Sequence, residues 1–181
     1  MIYVLVALAG ELPDHNLDPA TYKVWFTGVG KINATTYAAL ACIQQDCDSV
    51  INFGTAGVLS AEYAGKLNTI GSVIQRDMDA RPQAELGTTP FDKSDWAAEI
   101  GLSDTGIVLS TGDNFVMSPP ELPSDLVDME GYAIAKVAKH FNKPVTLLKY
   151  GSDMADENAS HTWEENQAAG AELFLNLLKE Y

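Results

Sequence analysis

Short apolar runs bounded by turn residues alternate along this chain with longer segments of helical period. Residues 2–8 (IYVLVAL), 23–27 (KVWFT), 49–53 (SVINF), 107–110 (IVLS) and 145–150 (VTLLKY) are nearly continuous in apolar side chains, the pattern of strands buried on both faces. Between them, residues 32–45, 131–141 and 163–178 repeat apolar positions at helical spacing, the last placing Leu173, Phe174, Leu177 and Leu178 on one stripe. Residues 70–78 (IGSVIQRDM) predict a longer strand, and residues 80–95, with Pro82, Gly87 and Pro90, predict a loop. Strands alternating with helices predict a layered α/β architecture. No repeat, low-complexity tract or linker breaks the pattern, so residues 1–181 are expected to form one domain.

Composition narrows the partners. With 11 Lys and Arg against 25 Asp and Glu, the net charge is −14, and no basic stripe interrupts the acidity, which excludes nucleic acid and anionic membrane as expected partners. No apolar run reaches the length of a membrane span, and Met1 leads directly into a strand-like segment, so a cytoplasmic protein is expected. Cys42 and Cys47 lack the second pair or clustered histidines of a zinc site and are read as reduced thiols.

Chemistry concentrates near the C-terminal end. VDMEGYAIA (127–135) and LKYGSDMAD (148–156) place Asp128, Glu130 and Asp153 where apolar strands end, and in open α/β sheets the ligand crevice lies outside those ends. The alternative roles are a helix N-cap for Asp153, a capped turn for Glu130 and plain core for Phe115. Other motifs fail. GVGK (28–31) has Trp25 where a P-loop needs glycine and Asn33 where a Rossmann fingerprint needs one, which leaves a tight strand-to-helix turn. His15, His140 and His161 fit no metal signature, no GxSxG elbow is present, and Asp77 with Asp79 is a weak cation pair better read as solvated or capping residues.

Taken in order, VALAGEL (6–12), TGVGK, INFGTAGVL (51–59), STGDNFV (110–116), VDMEGYAIA and GSDMAD resemble the nucleoside phosphorylase and nucleosidase superfamily, most closely its methylthioadenosine/S-adenosylhomocysteine nucleosidases. The resemblance implies a three-layer α/β/α sandwich around a mixed, partly barrel-like sheet, assembled as a homodimer, acting on a small purine nucleoside without cofactor or metal. It implies that Glu11 activates the attacking water and that Asp153, oriented by Ser152, protonates purine N7. Thr55 and Gly57 then fall in a turn beside the ribose, Phe115 stacks on the purine, and the Val116 backbone contacts the base. Met129 packs beneath the ribose, Glu130 binds its hydroxyls, and Trp163 replaces a phenylalanine near the 5′ substituent. Further departures are serine replaced by Thr55, a glutamate replaced by Asp128, an arginine replaced by Lys149, and a shortened stretch between Glu11 and Gly28.

Cleaving an N-glycosidic bond requires an acid at the base, a base for water and a clamp on the sugar, and these carboxylates supply all of them. The expected reaction is hydrolysis of a 5′-substituted adenosine. The alternatives are a phosphate-dependent phosphorylase, disfavoured by having only Arg76 and Arg81 to hold phosphate, and a non-catalytic nucleoside-binding module. Residues 80–95, carrying Leu86 and Phe91, have two equal readings, a lid across a two-fold interface and a mobile surface loop with incidental apolar residues.

Overall fold

The computed structural model describes residues 1–156 and 159–179. Its centre is a nine-stranded mixed sheet among the described residues. Strand β1 (Ile2–Val6) lies parallel to β2 (Tyr22–Phe26) on one side and to β3 (Ser49–Val58) on the other. The opposite edge of β3 runs parallel to β9 (Val145–Asp153), and β4 (Leu67–Thr69) closes antiparallel onto β9. The far end of β3 then pairs antiparallel with β8 (Leu126–Asp128), which continues through β7 (Val108–Thr111) and β5 (Ser72–Gln75) to β6 (Glu99–Gly101). One edge of β3 thus changes neighbour, from β1 near its start to β8 at its end. A crevice opens where that switch occurs.

The alternation of β1 shows why the sheet is covered on both sides. Tyr3 and Leu5 pack with Ala34, Ala38 and Ala41 of helix α1 (Lys31–Cys42) and with Ile134 and Ala138 of α2 (Gly131–His140). Val4 and Val6 point the other way, into a cluster with Phe53, Leu148, Phe174 and Leu178, the last two from α4 (Ala171–Leu178). The rings of Phe53 and Phe174 stack with centroids 4.3 Å apart. This is the three-layer α/β/α sandwich with a mixed central sheet that the sequence led us to expect. The alanine stripe of α1 carries little side-chain bulk and lets that helix sit close to both the sheet and α2.

Several boundaries differ from the sequence expectation, each for a physical reason. The expected helix over 163–178 is two helices, α3 (Ala159–Asn166) and α4, separated by a turn at 167–170 in which Gly170 passes so close to Tyr150 that a Cβ there would lie 2.5 Å from the Tyr150 Cβ. The expected strand over 70–78 shortens to β5, since beyond Gln75 the Arg76 side chain turns inward to bind backbone carbonyls of neighbouring strands. Residues 54–57 (GTAG), expected as a turn, are strand: β3 runs on to Val58 with a register shift between Ala56 and Gly57. Strands β4, β6 and β8 are three or so residues each, too short for periodicity to reveal. Among the described residues no helix is long and apolar enough to cross a membrane. Cys42 and Cys47 are buried free thiols, with burial pushing Cys42 up to about 11.

Candidate active site

The crevice at the β3 switch is a cleft open to solvent. Every residue to which the resemblance gives a part in catalysis or substrate binding lines it, namely Glu11, Thr55, Gly57, Phe115, Val116, Met129, Glu130, Ser152, Asp153 and Trp163, and Asp128 lines it too. Ala7, Leu8, Val29, Arg76 and Asn114 also line it, although the sequence assigned them no part in the site.

Glu11 reaches the cleft because the chain leaves β1 in a single 3-10 turn, Ala9–Glu11, that folds its side chain back on Leu8. Its Oε2 accepts the Leu8 amide at 3.0 Å, and its Oε1 accepts both the amide and the hydroxyl of Thr55, at 2.8 and 2.7 Å. The absence of side chains at Gly54 and Gly57 is what admits the carboxylates. A Cβ at Gly54 would stand 3.2 Å from Glu11 Oε1, and one at Gly57 would meet Asp153 Oδ1 at 3.0 Å and Val127 Cγ2 at 2.9 Å. The GTAG segment is therefore a strand without side chains at Gly54 and Gly57, so that two acidic residues can approach its backbone.

Asp153 is the last residue of β9, not a helix N-cap. It accepts Ser152 Oγ at 2.8 Å and the Ala155 amide at 3.0 Å. Burial raises its pKa above the ordinary aspartate value, against the lowering influence of those two donors. Phe115 is not core either: its ring is 45% exposed at the cleft mouth, while Val116 beside it is buried.

Glu130 stands at the N-cap position of α2 without capping it. That work is done by Asp128, whose Oδ2 accepts the Gly131 amide at 2.7 Å, and by Thr111, whose hydroxyl accepts the Tyr132 amide at 2.8 Å. Relieved of capping, the Glu130 carboxylate turns into the cleft and accepts the Gly30 amide at 2.8 Å. The GVGK turn thus supplies a donor to a carboxylate and not to a phosphate. Burial first, and then the charge of Asp128, push Glu130 up to about 7.

Beneath the acids lies Lys149, buried to the same degree as its partner Asp128, with Nζ 2.8 Å from Oδ2. Thr111 Oγ1 adds a 2.5 Å bond to Asp128 Oδ1. Burial opposes both charges, yet the Lys149 charge and the Thr111 and Gly131 donors hold Asp128 below its usual value, and Asp128 and Glu130 hold Lys149 above its own.

The two arginines are both committed. Arg76 is buried and donates to the carbonyl oxygens of Ser110, Asp128, Gly112 and Asn114, tying the loop before Phe115 to the strand ends. Arg81 pairs on the surface with Asp79 and Glu121. Asp77 accepts Lys31 Nζ at 2.7 Å and the Asp113 amide at 2.8 Å, so the Asp77 and Asp79 carboxylates each engage a protein cation separately. Among the described residues no three His, Cys, Asp or Glu side chains gather as a metal ligand set. Residues 80–95 are not among those lining the cleft of the single chain, and Phe91 is 91% exposed.

A model of the phosphorylase superfamily matches residues 21–181. The chain belongs to the phosphorylase superfamily. It is 30% identical to the 5′-methylthioadenosine/S-adenosylhomocysteine nucleosidase of Geobacillus thermodenitrificans, over 96% of this chain and 86% of that one, and 30% identical to the Geobacillus kaustophilus nucleosidase of the same name over 93% and 83%. Among solved structures, the Helicobacter pylori nucleosidase of that name bound to butyl-thio-DADMe-Immucillin-A superposes with a TM-score of 0.83 at 22% identity, covering 99% of this chain and 96% of that one. A Helicobacter pylori futalosine hydrolase mutant superposes with 0.85 at 21% identity, over 98% and 96%. These two likenesses establish the shared fold of this superfamily member.

A prediction follows for Glu130. Its folded pKa, about 7, lies above the ordinary glutamate value, so the stability it contributes is fully present below about pH 4.5 and is lost as the pH rises through 7. Glu130→Gln keeps an oxygen for the Gly30 amide and removes the ionisation. Thermal unfolding should show little difference between variant and parent at about pH 5. At about pH 8 the variant should be the more stable, by roughly 2 kcal/mol. A difference independent of pH would refute the assignment of that ionisation to Glu130.

Proposed function

We propose that this protein hydrolyses the N-glycosidic bond of a 5′-substituted adenosine, of the methylthioadenosine or S-adenosylhomocysteine kind, to free adenine and the sugar. The observation that carries the reading is the convergence of Glu11, Glu130 and Asp153 on one cleft, each held by donors from a different part of the chain. The two Geobacillus relatives bear the name of that activity.

The chemistry divides among the residues as their surroundings allow. The purine lies against the Phe115 ring with the Val116 backbone beside it, and Met129 packs beneath the ribose. Glu130, as a carboxylate, accepts the ribose hydroxyls. Asp153, whose burial favours the protonated form, delivers its proton to N7 as the bond to C1′ breaks, so the base leaves neutral. Glu11 takes a proton from the water that attacks the oxocarbenium-like sugar. Water as the nucleophile agrees with the state of the arginines, since Arg76 is engaged by four backbone carbonyls and Arg81 by two carboxylates. A panel of adenine and hypoxanthine nucleosides with varied 5′ groups, incubated with and without phosphate, tests the whole reading. Free adenine should appear at the same rate in both conditions. Release that requires phosphate and yields a sugar 1-phosphate would overturn it.

The cytoplasmic, homodimeric state belongs to the same proposal. Val29 and Phe115 at the cleft mouth, Ile32 and Leu40 along α1, and Ile43 just past its end are exposed apolar side chains that a second copy would cover. Light scattering at micromolar concentration should give twice the chain mass, and a monomer that still cleaves nucleosides would remove the dimer from the account.

The acid makes two further predictions. Asp153→Asn should fold as the parent does and lose on the order of 10² to 10⁴ in kcat. Ser152→Ala removes a donor that favours ionised Asp153, so the Asp153 pKa should rise further. The alkaline limb of kcat/KM, where activity falls as Asp153 loses its proton, should therefore move to higher pH. A shift to lower pH, or a limb that persists unchanged in Asp153→Asn, would show that another group supplies the proton.

A further inference from the structure

We propose that Trp163 is a positioning residue for the water-activating glutamate, acting through the hydroxyl of Thr55, and not merely a wall of the substrate cleft. The inference rests on the assignment of Glu11 as the base for water.

An indole N–H donates and cannot accept, and a threonine hydroxyl has a single proton. Trp163 Nε1 donates to Thr55 Oγ1 at 2.8 Å, and that same oxygen lies 2.7 Å from Glu11 Oε1. With one of its lone pairs engaged by the indole and Glu11 Oε1 as its acceptor, the hydroxyl directs its single proton toward Glu11. The polarity of the relay is therefore fixed as Trp163 to Thr55 to Glu11. Oε1 also accepts the Thr55 amide, whereas Oε2 accepts only the Leu8 amide, at 3.0 Å, among the bonds the described residues make to it. Oε1 is thus occupied by two donors, and Oε2 is the oxygen with a lone pair to offer the attacking water.

The helix that carries the indole is anchored at both ends of the reaction. Asn166 Nδ2 donates to the carbonyl of Ser152 at 3.1 Å, on the strand that presents Asp153. Gln167, just beyond α3, packs over Gly10, where a Cβ would stand 2.5 Å from its Oε1, in the turn that presents Glu11. The indole is consequently held in register with both proton-handling carboxylates. A phenylalanine in its place would fill much of the same space and leave the Thr55 proton free to turn away.

The test is a double-mutant cycle with Trp163→Phe and Thr55→Val, measured on a nucleoside that the parent cleaves. Trp163→Phe should lower kcat by about five- to tenfold, the scale of one neutral hydrogen bond, with KM within about twofold of the parent. Thr55→Val should lower kcat at least as far. The double variant should be no slower than Thr55→Val alone, because the indole acts only through the hydroxyl. An equal loss from Trp163→Phe in both backgrounds, or a change confined to KM, would overturn the proposal and return Trp163 to a substrate-lining role. Should Trp163→Phe not fold, the indole N–H resonance decides. Trp163, assigned apart from Trp25 and Trp96, should shift and exchange faster with solvent in Thr55→Val and return toward the parent position in Thr55→Ser. A resonance unmoved by Thr55→Val overturns the relay. A parent protein that releases no base from any nucleoside would instead refute the proposed hydrolysis, and the resonance measurement would still report on the hydrogen bond itself.

Discussion

The buried ion pair between Lys149 and Asp128 is the interaction on which the site depends. Three carboxylates, Glu11, Asp128 and Glu130, share one apolar neighbourhood, and each adds to the field felt by the lysine or by Glu130. Without a cation among them, burial would force the acids toward their neutral forms or the strands apart. One lysine, fully enclosed and 2.8 Å from Asp128, makes the cluster tolerable. Removing one member of such a pair typically costs about 3 to 5 kcal/mol, because the other is left charged and unpartnered. The pair does not offset the burial of Glu130, which together with the charge of Asp128 keeps that carboxyl raised to about 7.

The same pair organises the local backbone. By capping α2, Asp128 with Thr111 frees Glu130 from the duty its position would give it. Arg76 does the equivalent work for the loop that carries Phe115, binding its carbonyls to the ends of β7 and β8. Neither cation reaches for substrate in this arrangement. Both convert flexible strand ends into a fixed frame, which is what a site must have if its acid, base and sugar clamp are to act at one bond.

Glycine serves that frame by absence. Gly54 and Gly57 sit within β3, where side chains are ordinarily favoured, and the strand there is held instead by pairing with β9 and β8. Their missing Cβ atoms bring Glu11 and Asp153 against the same short length of backbone from opposite parts of the chain. The resemblance placed Thr55 and Gly57 in a turn, a reading to which the glycines at 54 and 57 offered no local objection. The reading failed where a tertiary contact, invisible to local pattern, had claimed the glycine.

The sequence by itself determined the layers and the chemical inventory. Apolar runs such as 2–8 and 145–150 read as strands buried on both faces, and the helical stripes between them supply the cover, so a layered α/β architecture follows from periodicity and the hydrophobic effect, while the three-layer sandwich is what the family resemblance implied. The ordered motifs named the carboxylates and the aromatic residue now found around the cleft. Only the tertiary structure decided how those groups are held. The Gly30 amide on Glu130, the Leu8 amide on Glu11, the four carbonyls on Arg76 and the indole on Thr55 join residues far apart in sequence or engage backbone atoms that every residue possesses. No pattern of side chains announces such bonds, because their donors and acceptors are set by where the strands end in space and not by which amino acids occupy them.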